Sequence, residues 1–199
     1  MNFEIVGEFE KKIAQFFGSS HAIAVDSCTH GLELCLRYMK ETKINVPKRT
    51  YLSVPFLSEK LNLDREWRDE NWENYYTINY GEKKIIDAAV LWEKNSYIPN
   101  TFMCISFQYQ KHLSLGRGGI ILLDNEIDYL SLKKMSYDGR IPNVPWREQD
   151  IDTVGYHYYM TPETAKLGLD KLDSAIKTKP RKWTTNDWPD LTEMKIFKK

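Results

Sequence analysis

The chain has 199 residues with 28 basic and 28 acidic side chains, a formal net charge of zero. Zero charge without a dense basic block excludes a surface built mainly to hold nucleic acid or an anionic membrane. A hydrophobic fraction of 42% suits the packed core of one domain, and 13% aromatic residues are too many for a disordered chain.

No apolar run approaches the roughly 18 residues that a membrane-spanning helix needs. The opening Met1-Asn2-Phe3-Glu4 lacks the basic-then-apolar layout of a secretion signal. Three cysteines, Cys28, Cys35 and Cys104, are an odd number without CxxC spacing, which disfavours a disulfide framework or a structural zinc. A soluble, cytoplasmic protein is expected.

Over residues 3–17, Phe3, Val6, Phe9, Ile13, Phe16 and Phe17 recur mostly at three- and four-residue steps, the buried face of a helix, and Gly18 stands where a left-handed cap belongs. His21 to Val25 reads as a buried strand. A helix is expected over residues 30–40, with Leu32, Leu36 and Met39 on one side. Ile44 to Pro47 reads as a strand end, and residues 52–61 as a short helix weakened by Pro55. A short strand is expected over 65–68 with a loop after it, then a strand at Ile85-Ile86 running into Asp87-Ala88-Ala89. Strands follow at 101–107 and 119–123, and helices at 126–137 and 161–177. Strands alternating with helices give an α/β three-layer αβα domain over residues 1–178. Residues 179–199, mixing Pro, Trp and Lys, are expected to form an extended tail.

Three places combine residue types that carry chemistry. Asp26-Ser27-Cys28-Thr29 lies between a buried strand and a helix, so amides and hydroxyls gather at the positive end of the helix dipole, an anion site suited to phosphate. Taken alone, the same turn is an ordinary helix cap. Asp87 stands at a strand end, where ligands bind in open α/β sheets, and its small neighbours leave room for a flat ring. Taken alone, it is a turn aspartate. Lys111 follows a strand carrying Ser106 and leads into Gly116-Arg117-Gly118-Gly119; if buried, its pKa falls and the free amine becomes a nucleophile. Taken alone, it is a solvated loop lysine. Their order along the chain is more telling: phosphate cradle, acid for a ring nitrogen, and amine are what pyridoxal phosphate requires of a protein.

Here the chain resembles the DegT/DnrJ/EryC1/StrS family of pyridoxal-phosphate-dependent nucleotide-sugar aminotransferases. Glu8-Phe9-Glu10, Phe16-Phe17-Gly18 and His21 to Val25 look like the family's first helix and strand. Ser27-Cys28-Thr29-His30-Gly31-Leu32-Glu33 is similar to its phosphate turn, with Cys28 where a smaller residue is frequent. Val46-Pro47 with Thr50-Tyr51-Leu52-Ser53 resembles the segment whose aromatic residue stacks on the cofactor. Asp87-Ala88-Ala89 is similar to the acidic motif, and Ser106 through Lys111 with Gly118-Gly119 to the lysine loop. Gly155 to Thr161 with Gly168-Leu169 and Leu172 resembles a later motif that reaches a neighbouring subunit's site.

The resemblance implies the large domain of a fold-type-I aminotransferase, with the small domain largely absent after residue 176. It implies catalytic roles for Lys111, the proton-transferring amine, and Asp87, the partner of the ring nitrogen. Ser27, Cys28, Thr29 and Ser106 would hold the phosphate, Tyr51 would stack on the ring, and His157 would cross to a partner subunit in a homodimer. A nucleotide sugar and an amino-acid donor, glutamate, are the implied substrates. Several positions depart from the family pattern: Val90 replaces Gln or His, His112 replaces Asn, and His157 and Tyr159 replace Asn and Arg. The stretch between Tyr51 and Asp87 drops about one strand–helix unit. A relative that binds a partner or a nucleotide sugar without turnover is the alternative expectation. A dehydratase of the same superfamily is disfavoured, because there a His normally replaces the lysine.

Overall fold

The computed structural model describes residues 2–198. Five strands form a central sheet: β1 (His21–Val25), β4 (Tyr76–Thr77), β5 (Lys84–Asp87), β6 (Thr101–Ser106) and β7 (Gly119–Leu123), in the spatial order β1-β7-β6-β5-β4. Only β5 and β6 run parallel in it; β1–β7, β6–β7 and β4–β5 are antiparallel. A second, parallel pair joins β2 (Lys43–Pro47) to β3 (Asp64–Arg68). Ile78 links the two sheets, accepting from Asn45 N at 3.0 Å and donating to Ile85 O at 2.9 Å.

Strand alternation sorts the core into two sides. Ala22, Ala24, Ile86, Met103, Ile105, Ile120 and Leu122 face α1 (Glu4–Phe17) and α5 (Pro162–Lys177). Their sequence neighbours Ile23, Val25, Ile85, Phe102, Cys104, Ile121 and Leu123 face α2 (Cys28–Tyr38), α3 (Ser53–Leu61) and α4 (Glu126–Ser136). Residues one apart on a strand point to opposite faces, so apolar runs of this kind must be covered on both. The result is the expected three-layer αβα sandwich. Each large side chain fully buried here contributes about 1.5–3 kcal/mol.

Local chemistry explains most boundaries. Gly18 caps α1 at φ 83°, its N–H donating to Ala14 O at 2.8 Å. The second helix begins at Cys28, two residues before the expected start, because Ser27 caps it: Ser27 Oγ accepts from His30 N at 3.2 Å. Pro55 does not break α3, since it lies in the first turn, where its missing N–H has no intrahelical partner to lose.

Two regions differ from expectation. The segment after Arg68, expected as loop, contains β4, and its Tyr76 and Ile78 are buried. This short antiparallel piece pairs with β5 at the edge of the sheet. Two paired residues are too few for a period to show in sequence. Residues 179–198 do not run free over the surface. They form three short 3-10 turns, at Thr185–Asp187, Leu191–Glu193 and Lys195–Phe197, and bury Thr185 and Leu191. No helix among the described residues is long and apolar enough to cross a membrane, and Cys28, Cys35 and Cys104 are all free.

Candidate active site

The turn from β1 into α2 is built by close approach. Gly119 opens β7 directly beneath it, and a Cβ there would stand 2.4 Å from Cys28 N. Only glycine admits the strand so near. Ser27 and Thr29 line a cavity, and Thr29 Oγ1 lies 2.7 Å from Ser53 Oγ. Asp26 turns toward His30 and Arg117, with Oδ1 2.6 Å from His30 Nδ1 and Oδ2 2.7 Å from the Arg117 guanidinium. Arg117 is thereby held beside the helix N-terminus and lines the same cavity. Amides at a helix start plus a tethered guanidinium make an anion site.

Asp87 ends β5 and is buried. Its Oδ1 accepts from Ala89 N at 3.0 Å and its Oδ2 from the Tyr76 hydroxyl at 2.6 Å. Because Tyr76 spends its proton on the carboxylate, Thr50 donates in the contact between their hydroxyls, at 2.5 Å. The result is a buried relay, Thr50 to Tyr76 to Asp87. Burial pushes the Asp87 carboxyl above the usual aspartate value, opposed by the Tyr76 hydroxyl, the Ala89 N–H and the charge of Lys111. Burial, with the Asp87 charge, also pushes the Tyr76 phenol and the Cys28 thiol well above their ordinary values. Cys28 is therefore a neutral wall of the cavity at ordinary pH.

Lys111 lies in the loop between β6 and β7, its N–H bonded to Gln108 O at 2.8 Å. Lys111 lines the cavity and is partly buried. Burial lowers its pKa below the usual lysine value, with the Asp87 charge opposing. Among the described residues the Nζ has no hydrogen-bond or ion-pair partner. Its neighbours are instead two indole faces, with centroids 5.1 Å away at Trp183 and 5.7 Å away at Trp188. A desolvated amine without a fixed partner is a poised nucleophile.

One cavity brings together Ser27, Cys28, Thr29, Tyr51, Asp87, Ser106 and Lys111. Ser106 Oγ accepts from Gln108 N at 3.3 Å. Tyr51 is half-exposed at the rim and meets Trp188 edge-on. His157 does not line this chain's own cavity; it is exposed, its Nδ1 3.1 Å from Asp138 Oδ2 and its Nε2 3.1 Å from the Tyr159 hydroxyl. Sequence reasoning missed Thr50, Trp72, Asn74, Tyr76 and Trp188, which also line the cavity. Only Thr50 had a local signal, its place next to Tyr51; the others lie in stretches read as loop and tail. Among the described residues no cluster of His, Cys, Asp or Glu could hold a metal ion.

The family model described as the DegT/DnrJ/EryC1/StrS aminotransferase family matches residues 2–56 and 99–186, well over half of the chain. No curated protein sequence matches. Among solved structures, AtS13 from Actinomadura melliaura superposes with a TM-score of 0.76 at 19% identity, covering 87% of this chain and 60% of that one. Spr1654 from Streptococcus pneumoniae in its PLP-form gives 0.70 at 18% identity, covering 86% and 59%. Helicobacter pylori PseC, an aminotransferase involved in the biosynthesis of pseudoaminic acid, gives 0.68 at 14% identity, covering 86% and 58%. The chain thus spans about three-fifths of the length of these structures, and the likeness is one of fold.

Proposed function

The chain belongs to the DegT/DnrJ/EryC1/StrS aminotransferase family, and on that premise we propose that it is a pyridoxal-phosphate-dependent aminotransferase. Its substrates are an amino donor, glutamate, and a keto-deoxy sugar carried on a nucleotide. The observation that supports this reading most is the shared cavity, where the unpartnered Lys111 amine, the buried Asp87 carboxylate and the start of α2 meet. The residues fit the cofactor. The start of α2 lines the cavity beside the Arg117 guanidinium, which suits a phosphate, and Asp87, with donors on both oxygens, lines the same cavity.

When bound, pyridoxal phosphate supplies an aldehyde that takes up the amino group and a ring that accepts the electrons released at carbon. The chain's own residues do the rest. Ser27, Cys28, Thr29 and Ser106 hold the phosphate, with Arg117 adding charge. Tyr51 packs on a flat ring, as aromatic faces do. Asp87, whose two oxygens accept from Ala89 and Tyr76, would keep a proton on the ring nitrogen. Lys111 Nζ, kept low in pKa by burial, would take the proton from the donor's α-carbon as a base and then serve as the acid that gives it up. In this reading the working form is a cytoplasmic homodimer in which His157 reaches a second copy's site.

The test is chemical. Borohydride should fix the cofactor to Lys111, as located by peptide mass spectrometry, and Lys111→Ala should abolish both fixation and amino transfer from glutamate. Fixation at another lysine, or full activity in Lys111→Ala, refutes the assignment. A colourless protein that added pyridoxal phosphate cannot restore refutes it as well, and favours a binding role without turnover.

A further inference from the structure

The C-terminal segment is fastened at several points to residues that line the cavity or lie next to it. Thr185 N donates to Trp72 O at 3.1 Å while Trp72 N donates to Thr185 Oγ1 at 2.7 Å. Asn74 N donates to Trp183 O at 3.0 Å, and the Arg49 guanidinium to Trp188 O at 3.0 Å. Between the two tryptophans, Thr184 and Asp187 cap the short turn Thr185–Asp187 reciprocally. So held, the indoles stack on each other, 5.8 Å between centroids and 27° between planes. The Trp188 Nε1 is buried and unbonded, so the backbone and packing, not its N–H, fix that ring.

The Lys111 Nζ lies over both rings, 5.1 Å from the centroid of Trp183 and 5.7 Å from that of Trp188. Lys111 lines the main cavity together with Trp188 and a neighbouring one together with Trp183. At such distances a cation is attracted to the negative face of an indole. A ring face holds an amine differently from a carboxylate. It draws the charged form without committing a hydrogen bond, so the neutral amine leaves it with little loss and keeps its lone pair free.

We propose that Trp183 and Trp188 are positioning residues for Lys111, their ring faces holding its amine in the site while it carries the proton it has taken. The indoles favour the charged form in a place where burial disfavours it. Base and acid thereby come closer in energy, as a group serving in both roles requires. This inference rests on the aminotransferase reading for the substrate that gives and receives the proton. It assigns to the segment after α5 a part in the site.

Other titratable or charged groups surround the amine. Cys28, Tyr51, Tyr76, Asp87 and Arg117 share the main cavity with it, and His112 and Arg181 the neighbouring one. Asp87 favours the charged amine as the rings do, and Arg181, over the Trp183 ring at 4.0 Å, is already paired with Asp187. All seven groups are kept in the variants that test the rings.

The test uses the full chain without cofactor. Competitive acetylation of amines across pH, read by peptide mass spectrometry, gives the titration midpoint of Lys111. The midpoint should fall in Trp183→Phe, which keeps a weaker ring face, and fall further in Trp183→Leu; it should fall likewise in Trp188→Leu. Below the midpoint, the free-amine fraction should rise about two- to fivefold in each leucine variant. Rings that merely exclude water predict the opposite, because hydration of an uncovered amine raises its midpoint. A midpoint unmoved or raised in either leucine variant overturns the proposal. A second measurement leaves both tryptophans in place: with isotope-labelled lysine ε-carbons, the attached protons of Lys111 should resonate upfield of those of other lysines through the indole ring currents. Loss of that signal in Lys111→Arg identifies it, and a Lys111 signal among the others is equally fatal. Borohydride fixation with added pyridoxal phosphate separates the two readings. No fixation at Lys111 counts against the aminotransferase assignment, whereas the acetylation profile decides the role of the indoles.

Discussion

Tyr76→Phe isolates the link between the fold and the acid at its centre. The ring keeps its packing on Trp72, 5.1 Å between centroids, and only the hydroxyl is lost. With it go the 2.6 Å bond to Asp87 and the contact with Thr50. A hydrogen bond to a charged group contributes about 1.5–3 kcal/mol. With that bond gone, only the Ala89 N–H and the Lys111 charge still oppose burial, so the Asp87 pKa should climb further. Burial already raises it, so the native carboxyl holds its proton more tightly than the unfolded one. Stability therefore falls as pH climbs from the ordinary aspartate value through the native value. The variant extends that interval upward. At a pH above the native value, where Asp87 is ionised in both proteins, the variant loses the whole bond plus about 1 kcal/mol for the stranded Thr50 hydroxyl. At about pH 4 the Asp87 part shrinks and mainly the Thr50 part remains. Urea unfolding at both pH values measures the difference, and carboxyl NMR follows Asp87 directly. An equal loss at both pH values, or an Asp87 titration that does not move, refutes the reasoning.

Lys111→Met should stabilise the protein by about 1 kcal/mol at neutral pH, because it removes a desolvated amine. The gap should narrow as pH rises toward the ordinary lysine value, since a lowered native pKa means that the unfolded chain binds more protons there and the wild type gains stability with pH; denaturant melts across that range check it. Gly119→Ala forces a Cβ against Cys28 N, so the β1–α2 turn must shift; a loss of about 1–3 kcal/mol and weaker pyridoxal phosphate binding are expected, read by thermal unfolding and cofactor titration. Leu191→Ala empties a buried anchor of the C-terminal segment. Faster hydrogen exchange at the Asn74 and Thr185 amides should follow while the amides of β6 stay protected, because the segment opens locally before the sheet does.

Much of this protein is legible along the chain. The three- and four-residue steps of α1, its Gly18 cap, the apolar runs of β1, β6 and β7, and the Ser27 turn are local patterns, set by residues within one or two turns of each other. The order phosphate turn, Asp87, Ser106, Lys111 is equally a property of sequence. What surrounds those residues is not. Tyr76 reaches Asp87 from a strand of two residues, and Thr185 meets Trp72 across 113 positions. Neither contact leaves a period or a cap, since each is made only when a burying surface brings distant segments to the same edge of the sheet. The free Nε1 of Trp188 belongs to the same class: a donor's lack of an acceptor is a property of everything packed around it. The chain thus declared its acid and its amine by type and order, whereas tertiary packing alone decided what hydrogen-bonds the acid and what stands over the amine.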